Sequence, residues 1–287
     1  MIEFRNLSFG YRTDLLILNN FTFSIPQGKI IGLVGPNGAG KSTVFKILCG
    51  IIRPPENTVF YNGVDIAKKI DHFKEVSASI IESPSIYQHM TVWENFMYFK
   101  HLLKRTSSEC EQLLQEFLLN HHRNIKVNKL SSGLKQRLGL ALTLLKRPSI
   151  LFLDEPINAI DPFGIRFFRE RLIALNKEFG ITIIISGHML SEIEKLCEHI
   201  IIIDKGRVSC SFENHFDKKI MNYITASRTE KLIQALHSKN IFYTQNEAEI
   251  KFVDQTGMHL LEAAGASSYA INSLEDLYFK VIEHDIV

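Results

Sequence analysis

With 287 residues, 45% of them hydrophobic and 22% charged, the chain has ordinary globular composition and enough length to bury one large core and a smaller one. Its 33 basic and 31 acidic side chains leave a net charge of +2 and are interspersed, without a Lys/Arg block to track a phosphodiester backbone, so no nucleic-acid partner is expected. The longest apolar stretches, at 181–185 and 200–203, fall far short of the roughly 20 residues that cross a bilayer.

The opening residues, MIEFRNLSFGY, carry neither the basic start nor the apolar run of a secretory leader, so the expected location is the cytoplasm. Ile2-Glu3-Phe4 and Phe21-Thr22-Phe23-Ser24-Ile25 alternate apolar with polar residues, which predicts half-exposed antiparallel strands. A different pattern follows. The runs at 30–34, 150–153, 181–185 and 200–203 are short, continuous and rich in branched side chains, and helical segments separate them. That predicts a parallel sheet covered on both faces, hence an α/β fold with an antiparallel edge.

Between about residues 87 and 147 the strand signals vanish. Phe96, Phe99, Leu102 and Leu103, then Leu113, Leu114, Phe117 and Leu118, recur at helical spacing and predict a helical subdomain. Asp204-Lys205-Gly206-Arg207 reads as a turn. Beyond it, helical patterns at 231–237 and 274–282 and strand patterns at 241–244 and 250–253 predict a small α+β appendage. The expected division is a nucleotide-binding domain at 1–212 and an accessory domain at 213–287. At about 70 residues the accessory part buries only a marginal core, which favours docking on the main domain or on a second copy. The four cysteines, Cys49, Cys110, Cys197 and Cys210, have no metal or redox spacing and read as reduced packing residues.

Gly35-Pro36-Asn37-Gly38-Ala39-Gly40-Lys41-Ser42-Thr43 follows a buried strand and opens a helix. Glycines there let consecutive backbone N–H groups surround phosphate oxygens, and the helix N-terminus adds its positive end. Lys41 is placed to neutralise the β- and γ-phosphates, and Ser42 to ligate Mg²⁺. The expected ligands are therefore ATP and Mg²⁺. The apolar strand 150–153 delivers Asp154 and Glu155 at its C-terminal end, where ligands gather in open α/β sheets. Paired acids at a strand end also occur as solvated turns. After a phosphate loop they read as a metal-shell residue, Asp154, and a base for the attacking water, Glu155.

Leu130-Ser131-Ser132-Gly133-Leu134-Lys135-Gln136-Arg137 resembles the signature of the ABC ATPase family. That resemblance implies a head-to-tail dimer, a homodimer or a paired ATPase, in which Ser131, Ser132 and Gly133 of one subunit cap the nucleotide of the other. It also implies that Tyr11 stacks on adenine, that Asp161 lies in the loop crossing the dimer interface, and that His188 contacts the γ-phosphate. Two positions depart from the family pattern. Glu82 stands where a glutamine usually touches Mg²⁺ or water, and Ser132 stands where glycine is general.

The segment from Glu82 to Tyr87, with Met90-Thr91-Val92-Trp93-Glu94-Asn95, resembles the subgroup serving bacitracin resistance and lantibiotic immunity, in which a glutamate here is usual. The resemblance as a whole implies an ATP-hydrolysing exporter subunit for peptide antibiotics. Glu155, His188 and Lys41 would be catalytic, and Ser42, Asp154 and Glu82 would face the metal. Its partners would be membrane permease subunits that hold it on the inner face of the membrane. Export of a drug, lipid or ion, or a regulatory role outside transport, stands as the alternative.

Overall fold

The computed structural model describes residues 1–12, 15–158, 160–216, 221–239, 241–245, 248–254 and 266–283. Strands β1 (Ile2–Phe9) and β2 (Leu18–Ile25) pair antiparallel with Ile2 opposite Ile25 and Phe4 opposite Phe23. Their alternation puts the aromatic rings on one side, where Phe4 and Phe23 stack at 4.8 Å. The next strand, β3 (Ile30–Val34), is buried along its whole length and runs into the phosphate loop and α1 (Lys41–Leu48). Strands β4 (Val59–Tyr61) and β5 (Val64–Asp65) complete a sheet of order β2-β1-β4-β5. Helix α2 (Ile70–Val76) then leads to β6 (Ser77–Ile80).

The helical region begins with α3 (Val92–Leu103) and α4 (Ser107–Glu116). Both start on a capping box, Thr91 with Glu94 and Thr106 with Glu109, so two otherwise unpaired N–H groups at each start are satisfied locally. Phe96, Leu114 and Phe117 of the predicted stripe are buried, whereas Leu102 and Leu118 are exposed. Next come α5 (Ser132–Leu144), β7 (Ile150–Leu153) and α6 (Pro162–Phe179). Asp161 caps α6 at its start with Pro162 in the first turn, and Gly180, at φ 65°, ends it.

Strand β8 (Thr182–Ser186), helix α7 (Leu190–Leu196) and strands β9 (His199–Asp204) and β10 (Arg207–Glu213) finish the central sheet. Its order is β10-β9-β3-β8-β7-β6, with β10 antiparallel to β9 and the other neighbours parallel. Alternate residues serve two cores. Ile30 and Val34 of β3 join Leu151 and Leu153 of β7 under α5, α6 and α7. Ile31 and Leu33 join Ile150 and Phe152 under α1, α2 and the antiparallel sheet.

The remaining elements are β11 (Met221–Ser227), α8 (Glu230–Ser238), β12 (Tyr243–Gln245), β13 (Glu249–Asp254), β14 (Ser267–Ile271) and α9 (Leu274–Glu283). The strands form an antiparallel sheet of order β12-β13-β11-β14. One face buries Ile224, Ala226, Ile250 and Phe252 against Leu232 and Leu236 of α8. The other face, with Met221, Tyr223 and Val253, joins α9 in the core of the main body. The Leu274 N–H at the start of α9 donates to the Glu194 carboxylate of α7 at 2.6 Å.

Between β9 and β10, the His199 Nε2 lies 2.8 Å from the Ser211 hydroxyl. Burial, more than the charge of nearby Lys29 and against that of Glu213, pushes the imidazole down to about 4 from its ordinary 6.5. A histidine whose folded pKa is depressed resists protonation in the native state, so the unfolded chain binds more protons between those values. Unfolding free energy is therefore expected to fall as pH drops from 6.5 toward 4, by on the order of 3 kcal/mol from this residue. Denaturant titrations of wild type and His199→Gln across that window check it: the slope should flatten in the variant.

Candidate functional site

Because β3, β6, β7 and β8 are parallel neighbours, their C-terminal ends open on one edge of the sheet. Gly35 leaves β3 where a Cβ would lie 2.2 Å from the Ile203 carbonyl oxygen, so the chain needs glycine to pass β9. Gly40, at φ 107°, turns the loop into α1. No side chain caps α1 and its first turn holds no acid, so its leading N–H groups and dipole are left for an anionic ligand. A Cβ at Gly38 would meet nothing within 4 Å, which shows that the crown of the loop faces open space.

Lys41 is buried, and its Nζ donates to the carbonyls of Gly35 at 2.6 Å and Pro36 at 3.0 Å. Burial lowers the Lys41 pKa, and the charges of Glu155 and Asp154 oppose that shift. Beside it, Asp154 is only 4% exposed. Burial pushes its carboxyl above the usual carboxylate range, with Glu155 adding to the shift. The hydroxyls of Ser186 and Ser42 and the charge of Lys41 pull the other way. Ser186 Oγ donates to Asp154 Oδ1 at 2.5 Å and accepts the Glu155 N–H at 2.9 Å. One hydroxyl from β8 thus bonds to both acidic residues that follow β7, Asp154 through its carboxylate and Glu155 through its backbone.

Glu155 adopts a left-handed backbone at φ 53°, which turns its side chain away from that of Asp154. Its Oε1 lies 2.6 Å from His188 Nε2, and Asn158 Nδ2 donates to Oε2. Glu82 also has positive φ, 59°, and centres a three-residue turn closed by the Ser83 N–H on the Ile81 carbonyl at 2.5 Å. Its carboxylate is 74% exposed and lies 3.7 Å from Lys46 of α1. Two acids at the ends of adjacent strands are held in a conformation that costs a non-glycine residue about 1–2 kcal/mol.

Other predicted residues make their contacts elsewhere. Tyr11 is 58% exposed with its ring edge-on to Phe9 at 5.4 Å. Ser131 caps α5 by accepting the Leu134 N–H at 3.3 Å, and Ser132 and Gly133 follow on that first turn. Asp161 accepts the Gly164 N–H at 2.6 Å. Arg137 of the signature segment is buried 4.2 Å over the Phe167 ring of α6. Thr43, Pro36, Asn37 and Ala39 stay with the loop, and Ala39 accepts the Gly206 N–H at 3.1 Å.

Sequence reasoning gave no role to Ser186, Asn158 or Lys46. Ser186 had one available signal, a hydroxyl ending a buried apolar strand two residues before His188. Asn158 lies only three residues beyond Glu155 but in no recognisable motif, whereas Lys46 of α1 meets Glu82 because the fold sets that helix beside the end of β6.

The residues present suit Mg²⁺ and phosphate. A serine hydroxyl beside one buried carboxylate offers hard oxygen donors, while among the described residues no group of three His, Cys, Asp or Glu side chains converges as a full cage. Magnesium in phosphoryl-transfer sites takes one or two carboxylates and fills the rest of its shell with phosphate and water.

Fold and site together define a phosphate-loop cassette of the α/β class. The ABC transporter family profile matches residues 18–158. The lantibiotic transport ATP-binding protein SrtF of Streptococcus pyogenes is 38% identical over 210 residues, 72% of this chain and 89% of that protein. The bacitracin transport ATP-binding protein BcrA of Enterococcus faecalis is 37% identical over 209 residues, 72% of this chain and 68% of that protein. The structure of cbiO1 from Clostridium perfringens, part of the ABC transporter complex cbiONQ, matches with a TM-score of 0.67 and 25% identity, covering 74% of this chain and 88% of that one. The chain belongs to the ABC transporter family as an ATP-binding subunit.

Replacing Ser186 by alanine strands the buried Asp154 oxygen and the Glu155 N–H together. The expected cost is about 1–3 kcal/mol of stability, read from the denaturant midpoint, with a further rise of the Asp154 pKa. An unchanged midpoint would mean that the hydroxyl does not carry this bridge.

Proposed function

We propose that the chain hydrolyses Mg²⁺-ATP and thereby drives a separate membrane permease that exports peptide antibiotics of the lantibiotic or bacitracin type. The observation that carries the reading is the convergence of Lys41, Ser42, Asp154 and the Glu155–His188 pair where β3, β7 and β8 end. The likeness to SrtF and BcrA supports the cargo class.

In this reading the loop from Gly35 to Thr43 cradles the phosphates with its N–H groups, and Lys41 exchanges the Gly35 and Pro36 carbonyls for phosphate oxygens. Mg²⁺ held by Ser42 and Asp154 supplies charge neutralisation when bound. Glu155 accepts a proton from the attacking water. His188, donating from Nε2 to Glu155 Oε1, orients that carboxylate and lies beside the γ-phosphate position. Tyr11, exposed beyond β1, stacks on adenine.

The start of α5, with Ser131, Ser132 and Gly133, caps the nucleotide of a second subunit, and the Asp161 loop lies across from it. ATP closes that dimer, and hydrolysis reopens it. Among the described residues no helix is long and apolar enough to cross a membrane, so in this reading the transport path belongs to the permease. The subunit then works on the cytoplasmic face. Glu82 reports nucleotide state to the permease from a strained turn next to Pro84, which packs on Gly139 of α5.

Lys41→Ala is expected to lower steady-state ATP turnover by about 10²–10³-fold. Glu155→Gln should abolish the resistance to lantibiotics and bacitracin of cells expressing the chain with its permease. Wild-type turnover in either purified variant would overturn the catalytic assignment. Sensitivity equal in wild type and Glu155→Gln, with both proteins at the membrane, would overturn the cargo alone.

Glu82→Gln is expected to change the ratio of resistance to ATP turnover, because it removes the Lys46 ion pair at the loop that faces the permease. Unchanged values of both would remove Glu82 from the mechanism.

A further inference from the structure

A cavity of about 450 Å³ lies between the central sheet and the C-terminal sheet, within the size range of small-molecule sites. One wall is the turn carrying Asp204, Lys205 and Arg207. The other is the face of the C-terminal sheet that presents Tyr223, Thr244 and Lys251. Strand parity dictates that wall. Tyr223 and Val253 face the main core, so Lys251, two residues from Val253, points the same way, and the register sets Thr244 opposite Lys251.

Three cations and one acid therefore line the cavity. Asp204 lies 3.9 Å from Lys205, which offsets that lysine's charge. Arg207 and Lys251 remain, and neither enters an ion pair among the described residues. No residue of the phosphate loop lines this cavity, so it is separate from the nucleotide site.

The same turn supports the phosphate loop from behind. The Gly206 N–H donates to the Ala39 carbonyl at 3.1 Å, and the Gly206 carbonyl accepts the Asn19 N–H at 2.9 Å. Lys205 and Gly206 hold φ of 45° and 75°, and a Cβ at 206 would lie 2.1 Å from the Ile17 carbonyl oxygen. A turn confined this tightly transmits a displacement to its hydrogen-bonded neighbours instead of absorbing it.

We propose that this cavity binds a phosphate monoester, held by Arg207 and Lys251, and that its occupancy is coupled through the Gly206–Ala39 bond to nucleotide affinity at the phosphate loop. The monoester belongs either to a small phosphorylated metabolite or to the headgroup of an anionic lipid. The coupling rests on the reading that the phosphate loop binds ATP, whereas the binding itself does not. Coupling of this kind is reciprocal: each ligand changes the other's affinity by the same factor.

The test is calorimetric titration of glycerol 3-phosphate into the full chain kept saturated with Mg²⁺-ADP, so that the phosphate loop is already filled. Expected is one site per chain, weakened about tenfold or more in the Arg207→Gln, Lys251→Gln double variant, since each charge-assisted hydrogen bond is worth roughly that factor. Both side chains lie at least partly at the surface, so the variant should keep its fold, and a thermal melt verifies this. Thr244→Glu, which sets a carboxylate beside Lys251, is the second variant and should weaken binding likewise.

A parallel arm sediments the chain with phosphatidic acid vesicles and with phosphatidylcholine vesicles. Sedimentation with the former only, lost in the double variant, would identify a lipid headgroup as the source. Saturable binding of glycerol 3-phosphate without it would identify a free metabolite. Equal binding by wild type and both variants, or binding of neither probe, would overturn the site. ADP affinity is then measured with and without glycerol 3-phosphate or the vesicles, whichever binds. A shift in wild type that vanishes in the double variant supports the coupling, and no shift overturns it. A chain that binds no ADP at all would instead overturn the nucleotide reading, and the direct titration would still be interpretable.

Discussion

The phosphate loop is held from outside. Gly35 passes so close to the Ile203 carbonyl that no side chain fits, and the Gly206 N–H, in the turn that follows the same strand, fastens Ala39. A loop clamped at both ends presents its N–H groups without needing a ligand to arrange them, which is the advantage of preorganisation for binding an anion. The rest of the site is arranged around this clamp. Helix α1 begins where the loop ends, Lys41 is anchored on the loop's own carbonyls, and Ser42 reaches the carboxylate at the end of β7.

Burying these charges is unfavourable, and the structure shows how the cost is offset. Lys41 and Asp154 are each shifted toward their neutral form by desolvation, and each supplies part of the compensation for the other. Ser186 supplies another part from the adjacent strand. Because the compensation is internal, a buried ammonium and a buried carboxylate coexist at the floor of the site. Glu155, left-handed in its backbone, is directed instead toward His188 and Asn158. The two neighbouring acids that follow β7 thereby face different surroundings.

Strain and close packing also connect the sheet edge to the helical region. The turn centred on Glu82 holds Pro84 against Gly139, where a Cβ would come within 2.3 Å of the proline ring. That contact joins the turn to α5, whose first residues are Ser132 and Gly133. On the opposite side, the C-terminal sheet shares its buried face with the main core.

The phosphate loop, the acids after the apolar strand, the signature segment and the alternating N-terminal strands were all legible in the sequence. Each depends on residues adjacent in the chain: consecutive N–H groups around a phosphate, a buried run ending in a carboxylate, period-two polarity. Strand β6, Ser-Ala-Ser-Ile, was not legible, because its small residues become strand only by pairing with Leu151 and Leu153. Strands β11 and β14 were missed for the same reason, as partners distant in sequence. The bridge of Ser186 to Asp154, the pairing of Lys46 with Glu82, and the placement of Arg207 and Lys251 on one cavity were decided by tertiary structure alone. A motif encodes chemistry that lies within one turn of chain, whereas the partner of a buried charge is set by strand order and register, which link residues that the sequence keeps far apart.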